Sequence, residues 1–352
     1  MYEETVQREY LRALSVPLHT IKMCGQQIVL FRADTLPAGI KTSIGKCLLA
    51  YYLDSKKIKK TTKSVVVVGG GNTVQGVKLA VDELGVRVGV TAVLYAETSR
   101  PVVEKLKTMG IEVVMETPRR KGWIGRLSTA EQLCRKRGYV LLEQHEQPRI
   151  LDIQRRTFGR AIVERLGAPG YFTAGVGTGG TLFGIGSALR GANPRTRITA
   201  VEGVGSTLTL WHAYLRAREE YETKKKVVEK ALRAYKKAGM VVSLICHPKR
   251  SPENWFDINI DFPPSASRTL GIEGLGVGDP TRLVLDHLAL VNRVRIITDG
   301  EARKGVRLLE SYGISGVESA GANFLAATEI AGNLERRGIR GAVILTVVTA
   351  RK

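Results

Sequence analysis

The side chains and bare backbone best suited to chemistry fall at three glycine-bearing junctions of the chain. The first reads Asp34-Thr35-Leu36-Pro37-Ala38-Gly39-Ile40-Lys41-Thr42-Ser43, a tight turn with Lys41 just beyond it. A lysine held at a helix start feels the positive end of the helix dipole, which lowers its pKa. An amine so depressed can act as a nucleophile or form a Schiff base, although a solvated surface lysine would read the same. The second junction is Val65-Val66-Val67-Val68-Gly69-Gly70-Gly71-Asn72-Thr73. Asn72 and Thr73 fit the N-cap of a following helix, whose free N–H groups could hold a carboxylate or a phosphate. A plain strand-to-helix turn is the alternative. The pattern is neither the dinucleotide fingerprint nor a P-loop, so it does not point to a nucleotide. The third, Gly177-Thr178-Gly179-Gly180-Thr181, offers consecutive N–H donors and two hydroxyls. That is a nest for a phosphate monoester, or else a place of close packing.

Such turns work only if strands and helices hold them, and the sequence supplies both. From about residue 64 onward, strand-like runs alternate with helical ones: Ser64–Val68, then an amphipathic helix from Thr73; Val90–Glu97, then a helix from Ser99; Ile111–Glu116; a helix with Leu127 and Leu133 on its apolar side; and Tyr139–Gln144. The second half repeats the alternation with runs at Gly170–Gly177, Thr196–Gly203, Arg293–Asp299 and Gly341–Thr349, with helices between them. This is the βαβ signature of a parallel sheet covered on both faces, an α/β fold. The stretch from Trp211 to Arg250 differs: Leu215–Gly239 reads as one highly charged helix with Leu215, Val227, Val228, Ala231, Leu232 and Tyr235 as its apolar positions, and His247–Phe256 breaks it. It is either a solvated surface helix or an insertion that caps an active site or makes a dimer contact.

Composition sets the outer limits. A chain of 352 residues, 43% hydrophobic, can build one large or two medium α/β domains with a true core. No run is long and apolar enough for a membrane span, and the charged N-terminus lacks a signal core. Cys24, Cys47, Cys134 and Cys246 are far apart without CxxC spacing, which points to reduced cytoplasmic thiols and no metal site. The net charge of +21 attracts anionic partners. Nucleic acid is disfavoured as the main partner, because the basic residues are spread along the chain and aromatics are only 6%.

The order of the three junctions, lysine turn, asparagine loop and glycine–threonine nest, resembles the fold-type II pyridoxal-phosphate enzymes. This is the superfamily of cysteine synthase, cystathionine β-synthase, threonine synthase and threonine dehydratase. The likeness runs over nearly the whole chain. "VPLHTI" is similar to the family's early "TPLVRL"; "LLEQHEQPRILDIQRRTFGRAIVERLG" resembles the cysteine synthase segment built on "QF-NP…H…T…EI"; "ITAVEG" stands where those enzymes have "VVAVEP"; and "GISGVESAGANFLAA" resembles both their "GISSGA" and the dehydratases' "EPAGA". The resemblance implies two three-layer αβα domains with mostly parallel sheets. Residues 1–41 and 148–352 would form the larger, with a charged insertion at about 211–262, and residues 42–147 the smaller, mobile one.

The same resemblance implies pyridoxal 5'-phosphate as cofactor and assigns residues to it. Lys41 would form the internal aldimine and move protons at the substrate's α-carbon. Asn72 would bond the ring hydroxyl, Gly177, Thr178, Gly179, Gly180 and Thr181 would wrap the phosphate, and Ser319 would meet the pyridine nitrogen, with Thr346 as its rival. Gly70, Gly71, Thr73 and Gln144 would hold the substrate carboxylate. The implied reaction is β-elimination and replacement on an O-activated serine through an aminoacrylate, as in cysteine biosynthesis. The basic balance favours an anionic leaving group such as phosphate. A serine/threonine ammonia-lyase is the alternative, to which the Gly274–Pro280 segment and "VESAGA" lean, and a binding protein with altered catalysis is a third. A cytoplasmic homodimer acting on a small amino acid completes the expectation. Three departures stand out: Gly69-Gly70-Gly71 replaces the hydroxyl-bearing loop of cysteine synthases, Val74 replaces a glycine, and the lysine turn lacks the Asp-Arg that usually follows.

Overall fold

The computed structural model describes residues 1–118, 122–217, 219–251, 256–261, 272, 274–276 and 278–351. Residues 218, 252–255 and 262 of the expected insertion, and Val277 of the Gly274–Pro280 segment, lie outside the described residues.

Two mostly parallel sheets carry the architecture. The larger has the order β1 (Leu18–Met23), β2 (Gln26–Phe31), β12 (Val343–Val347), β7 (Tyr171–Gly175), β8 (Arg197–Gly203), β11 (Arg293–Ile297). All its pairings are parallel except the β1–β2 hairpin. The smaller has the order β5 (Glu112–Thr117), β4 (Gly89–Tyr95), β3 (Ser64–Val68), β6 (Val140–Leu142) and is wholly parallel. The helices are α1 (Tyr2–Leu14), α2 (Thr42–Asp54), α3 (Asn72–Glu83), α4 (Arg100–Thr108), α5 (Gly122–Arg137), α6 (Arg149–Gln154), α7 (Arg160–Leu166), α8 (Gly180–Ala192), α9 (Leu208–Arg216), α10 (Tyr221–Lys237), α11 (Arg282–His287), α12 (Asp299–Glu310) and α13 (Glu318–Arg336).

The period of two along each strand decides which helices it meets. In β3 every residue is buried, with Val65 and Val67 packing toward α2 and α3 and Val66 and Val68 toward α5. Such an unbroken valine run is what a parallel strand covered on both faces requires. In the larger sheet Val29, Phe31, Leu345 and Val347 join a core with α1, α6, α7 and α8, while Ile28, Leu30 and Ile344 face α13. Among the described residues no helix is long and apolar enough to cross a membrane.

Two features differ from the sequence reading. The N-terminal hairpin β1–β2 falls ahead of the region read as strand–helix alternation, and β2 pairs in parallel with β12, so the first strands and the last complete one sheet. The charged stretch is not one helix but two, followed by a two-stranded antiparallel ribbon, β9 (Val241–Cys246) with β10 (Phe256–Asp261). Val228, Ala231, Leu232 and Tyr235 are buried there as the spacing predicts, packed beside Ile296 of β11. Leu215 is 49% exposed and does not belong to that face, because the chain ends α9 at Arg216 and starts a separate helix at Tyr221.

Candidate active site

The turn before Lys41 is bolted to the end of the chain. Ile40 N–H donates to the carbonyl of Thr349 at 2.8 Å. Gly39 has φ +58, and a Cβ there would fall 2.1 Å from that same carbonyl oxygen. Thr42 Oγ1 accepts from Ala38 N–H and donates to the Gly39 carbonyl, while Gln154 Nε2 donates to the Ile40 carbonyl at 3.1 Å. Lys41 is thereby fixed immediately before the first turn of α2, and its Nζ donates to Thr178 Oγ1 at 3.4 Å. Burial lowers its pKa from 10.5 to about 8. The depression expected from the sequence is present, but its cause is desolvation rather than the helix end.

The nest of the third junction sits where β7 meets α8. Gly179, at φ +83, caps the thirteen-residue helix α8, and a Cβ on it would lie 2.8 Å from the Phe183 ring. A Cβ on Gly177 would lie 2.8 Å from the Gly274 carbonyl. These positions therefore admit only bare backbone, which leaves the N–H groups of the helix start and the Thr178 and Thr181 hydroxyls around one concavity. Asn72 reaches the same concavity. It is the first helical residue of α3, not its cap; the cap is Gly71, whose φ of +107 suits only glycine, and Asn72 Oδ1 accepts from Gln75 Nε2 at 3.3 Å.

Ser319 stands on the far side, in the first turn of α13, with its hydroxyl 2.9 Å from that of Thr349. Thr346 does not join it. Its side chain is buried within β12 and donates to the Thr173 carbonyl of β7 at 2.8 Å, so it is a cross-strand tie outside the concavity. Thr349, three residues on and past the strand end, is the hydroxyl that lines the concavity beside Ser319. Thr346→Val should thus remove one sheet hydrogen bond, costing about 1 kcal/mol, and leave cofactor affinity unchanged. Ser319→Ala should weaken that affinity roughly tenfold, a loss of about 1.4 kcal/mol. Titration of cofactor-free protein by visible absorbance checks both, and the opposite ranking would restore Thr346 to the site.

Lys41 lies between two spaces. The one just described has a volume of about 290 Å³. The other, about 370 Å³, is bordered by Gly69, Gly70, Thr73 and Gln144 and further out by Trp123, Arg126 and His145. Thr73 Oγ1 donates to Gln144 Oε1 at 3.1 Å, and the Gln144 amide donates to the Val68 carbonyl. A Cβ on Gly69 would come within 3.0 Å of Gln144 Nε2, so the glutamine amide occupies the room that the missing side chain leaves. Around these two cavities the structure brings together the residues singled out from the sequence except Thr346 and Gly71, which caps α3 beside the loop but lines neither cavity. Sequence reading missed Thr349, Asn323, Arg126 and His145. Only His145 carried a signal, as the neighbour of Gln144.

These residues fit pyridoxal phosphate. The glycine cradle would be filled by any Cβ, a lysine of lowered pKa stands at its edge, and Asn323 Oδ1 is a buried acceptor without a partner on its wall. Comparison with known proteins gives the same class. Residues 17–248 match the model of the family described as pyridoxal-phosphate dependent enzyme, and the chain belongs to that family. A cysteine synthase of Staphylococcus aureus is 34% identical over 99 residues, 28% of this chain and 32% of that protein. The O-acetylserine dependent cystathionine beta-synthase of Bacillus subtilis is 30% identical over 176 residues, 49% of this chain and 56% of that one. These matches thus span about a third to just over half of the relatives' length. In fold, the O-acetylserine dependent cystathionine beta-synthase of Helicobacter pylori superposes with a TM-score of 0.72 at 20% identity, covering 96% of this chain and 92% of that one.

Proposed function

We propose that the protein carries out β-elimination and replacement on an O-activated serine, expelling the activating group and adding a small nucleophile such as sulfide. The observation that carries this reading is the place of Lys41, between a phosphate cradle on one side and a carboxylate-sized loop on the other. The names of the relatives, cysteine synthase and O-acetylserine dependent cystathionine beta-synthase, support the substrate class.

Held in the smaller cavity, pyridoxal phosphate supplies an electron sink for the bonds at the substrate's α-carbon. Gly177, Thr178, Gly179, Gly180 and Thr181 bind its phosphate, and Asn72 takes its ring hydroxyl. Ser319 offers the pyridine nitrogen a hydroxyl instead of a carboxylate, which suits departure of a β-substituent over deeper carbanion chemistry. The N–H groups of Gly70, Gly71 and Thr73, with the Gln144 amide, orient the substrate carboxylate. Lys41, half neutral near pH 8, removes the α-proton and later returns it. In this reading residues 42–147 form the smaller domain, which moves against the larger one, residues 1–41 and 148–352. The protein acts as a cytoplasmic homodimer, in keeping with its free cysteines.

The test is direct. Protein loaded with pyridoxal phosphate is given O-acetylserine or O-phosphoserine with sulfide, and separately serine or threonine alone. Release of acetate or phosphate together with cysteine is the expected result. A 2-oxo acid from unactivated serine or threonine, with no cysteine from either activated serine, would overturn the reading in favour of an ammonia-lyase.

A further inference from the structure

Several ionisable side chains that border the larger cavity have no part in that account, and His145 is one of them. His145 is only 5% exposed, yet it borders the same cavity as Lys41 and Gln144. Its ring stacks on Trp123 of α5, with centroids 5.3 Å apart and an interplanar angle of 10°. Its Nδ1 is buried and has no hydrogen-bond partner among the described residues. A buried imidazole that is fully satisfied needs no explanation; one left unsatisfied beside a reaction cavity does. Behind it, Glu143 Oε1 stands 3.4 Å from Nδ1, short of hydrogen-bond alignment but close enough to pair once the ring takes a proton. Glu143 is itself held in place, accepting the backbone N–H groups of His145 and Glu146.

We propose that His145, backed by Glu143, is the general base that takes the proton of the incoming nucleophile. The inference rests on the β-replacement reading above. An O-activated serine loses its substituent as a stable anion, carrying the bonding pair with it, and that step needs no acid. The nucleophile differs: a thiol with a pKa near about 8.5 is mostly protonated at neutral pH. Its S–H bond must break as the sulfur pair forms the new bond to the β-carbon. Lys41 cannot accept this proton, because in that half of the reaction it already holds the one from the α-carbon. The imidazole takes it on Nε2, Nδ1 being buried on the Glu143 side, and passes it to solvent, and the balance is one nucleophile proton out for one anionic leaving group released.

The charges around the ring agree with the role. Burial holds His145 below its usual 6.5, and the cations of Arg126 and Lys41 push in the same direction, while Glu143 opposes them. Burial alone would raise Glu143, but its closeness to the His145 ring and the backbone N–H groups of His145 and Glu146 keep its carboxyl below the usual value. At neutral pH the pair is therefore a neutral base beside a carboxylate, ready to receive.

The experiment separates the two half-reactions in single turnovers of the loaded enzyme, using O-acetylserine first and then thiols of different acidity, across the neutral to alkaline range. In His145→Gln, acetate release without nucleophile should stay close to the wild-type rate. Thiol addition should fall roughly 10²-fold at pH values below the thiol pKa, with the gap closing above it. His145→Ala should recover part of the loss when imidazole is added, and Glu143→Gln should give a smaller loss of the same pH shape. Equal losses in both halves, or a loss that ignores thiol pKa, would make His145 structural and overturn the proposal. Failure of the wild type to release acetate or phosphate would instead strike the β-replacement reading, and this inference with it. A readout free of turnover is the ring's own titration by NMR in the cofactor-free protein. It should lie below 6.5 and lower still in Glu143→Gln; an unchanged midpoint in that variant would dissolve the pair.

Discussion

Lys41→Ala is expected to abolish the visible colour of the protein loaded with pyridoxal phosphate and to cut turnover roughly 10³-fold, the scale of losing both a covalent anchor and a positioned acid–base group. The wild type should yield a borohydride-stable adduct on the peptide containing Lys41, found by mass spectrometry. In the cofactor-free protein the rate of capture by an aldehyde should rise through a midpoint near pH 8, because burial lowers this amine from 10.5 to about 8. Exposed lysines would not follow that curve. The sign for stability follows from linkage. Between about 8 and 10.5 the unfolded chain binds this proton and the folded chain does not, so Lys41 makes stability rise with pH in that window. Replacement by methionine should remove this contribution, so that wild type minus variant shows the rise between about 8 and 10.5. An adduct on another lysine, with turnover retained in Lys41→Ala, would dismiss the whole assignment.

How far the site could be read in advance depended on what each residue answers to. Glycines that admit no Cβ, such as Gly177, Gly179 and Gly39, are forced by local close approach, so their type and spacing carried the cradle and the lysine turn plainly. The same held for β3, whose valines name a strand buried on both sides. Thr349 was different. Which hydroxyl of Thr346 and Thr349 faces Ser319 depends on where β12 stops and on its pairing with β2 and β7, and the residues themselves do not encode that register locally. The burial of His145 was hidden for a related reason: Trp123, brought over from α5, stacks on its ring, and no local pattern announces that contact. In the charged segment the strand β9 went unread. Alternating burial from Val241 to Cys246 suits a strand with one wet face, but the helix before it masks the change of period.

Gly45→Val is the substitution expected to do most harm without touching the cavity. A Cβ at Gly45 would fall 2.4 Å from the carbonyl carbon of Gly76 and 2.5 Å from the Val77 nitrogen, backbone atoms that cannot swing aside. Gly76 answers in kind, with its own Cβ position 2.8 Å from the Lys41 carbonyl. Each glycine sits one helical turn into its element, Gly45 beyond Lys41 in α2 and Gly76 beyond Asn72 at the head of α3. Their contact thus fixes the distance between the lysine turn and the asparagine loop. Forcing the helices apart should cost about 3 kcal/mol of overpacking and lower Tm by roughly 5 °C or more. Because the separation moves Asn72 away from Lys41, cofactor affinity should fall as well, by roughly tenfold, a loss of about 1.4 kcal/mol. Gly300→Ala is the control, since nothing lies within 4 Å of a Cβ there. It should leave affinity as it is and should not lower Tm, since alanine replaces glycine within α12. Calorimetry with and without cofactor reads both effects. A Gly45→Val protein that keeps its Tm but loses affinity would show that the two helices yield without strain; one that loses Tm and keeps affinity would show that their spacing does not set the site.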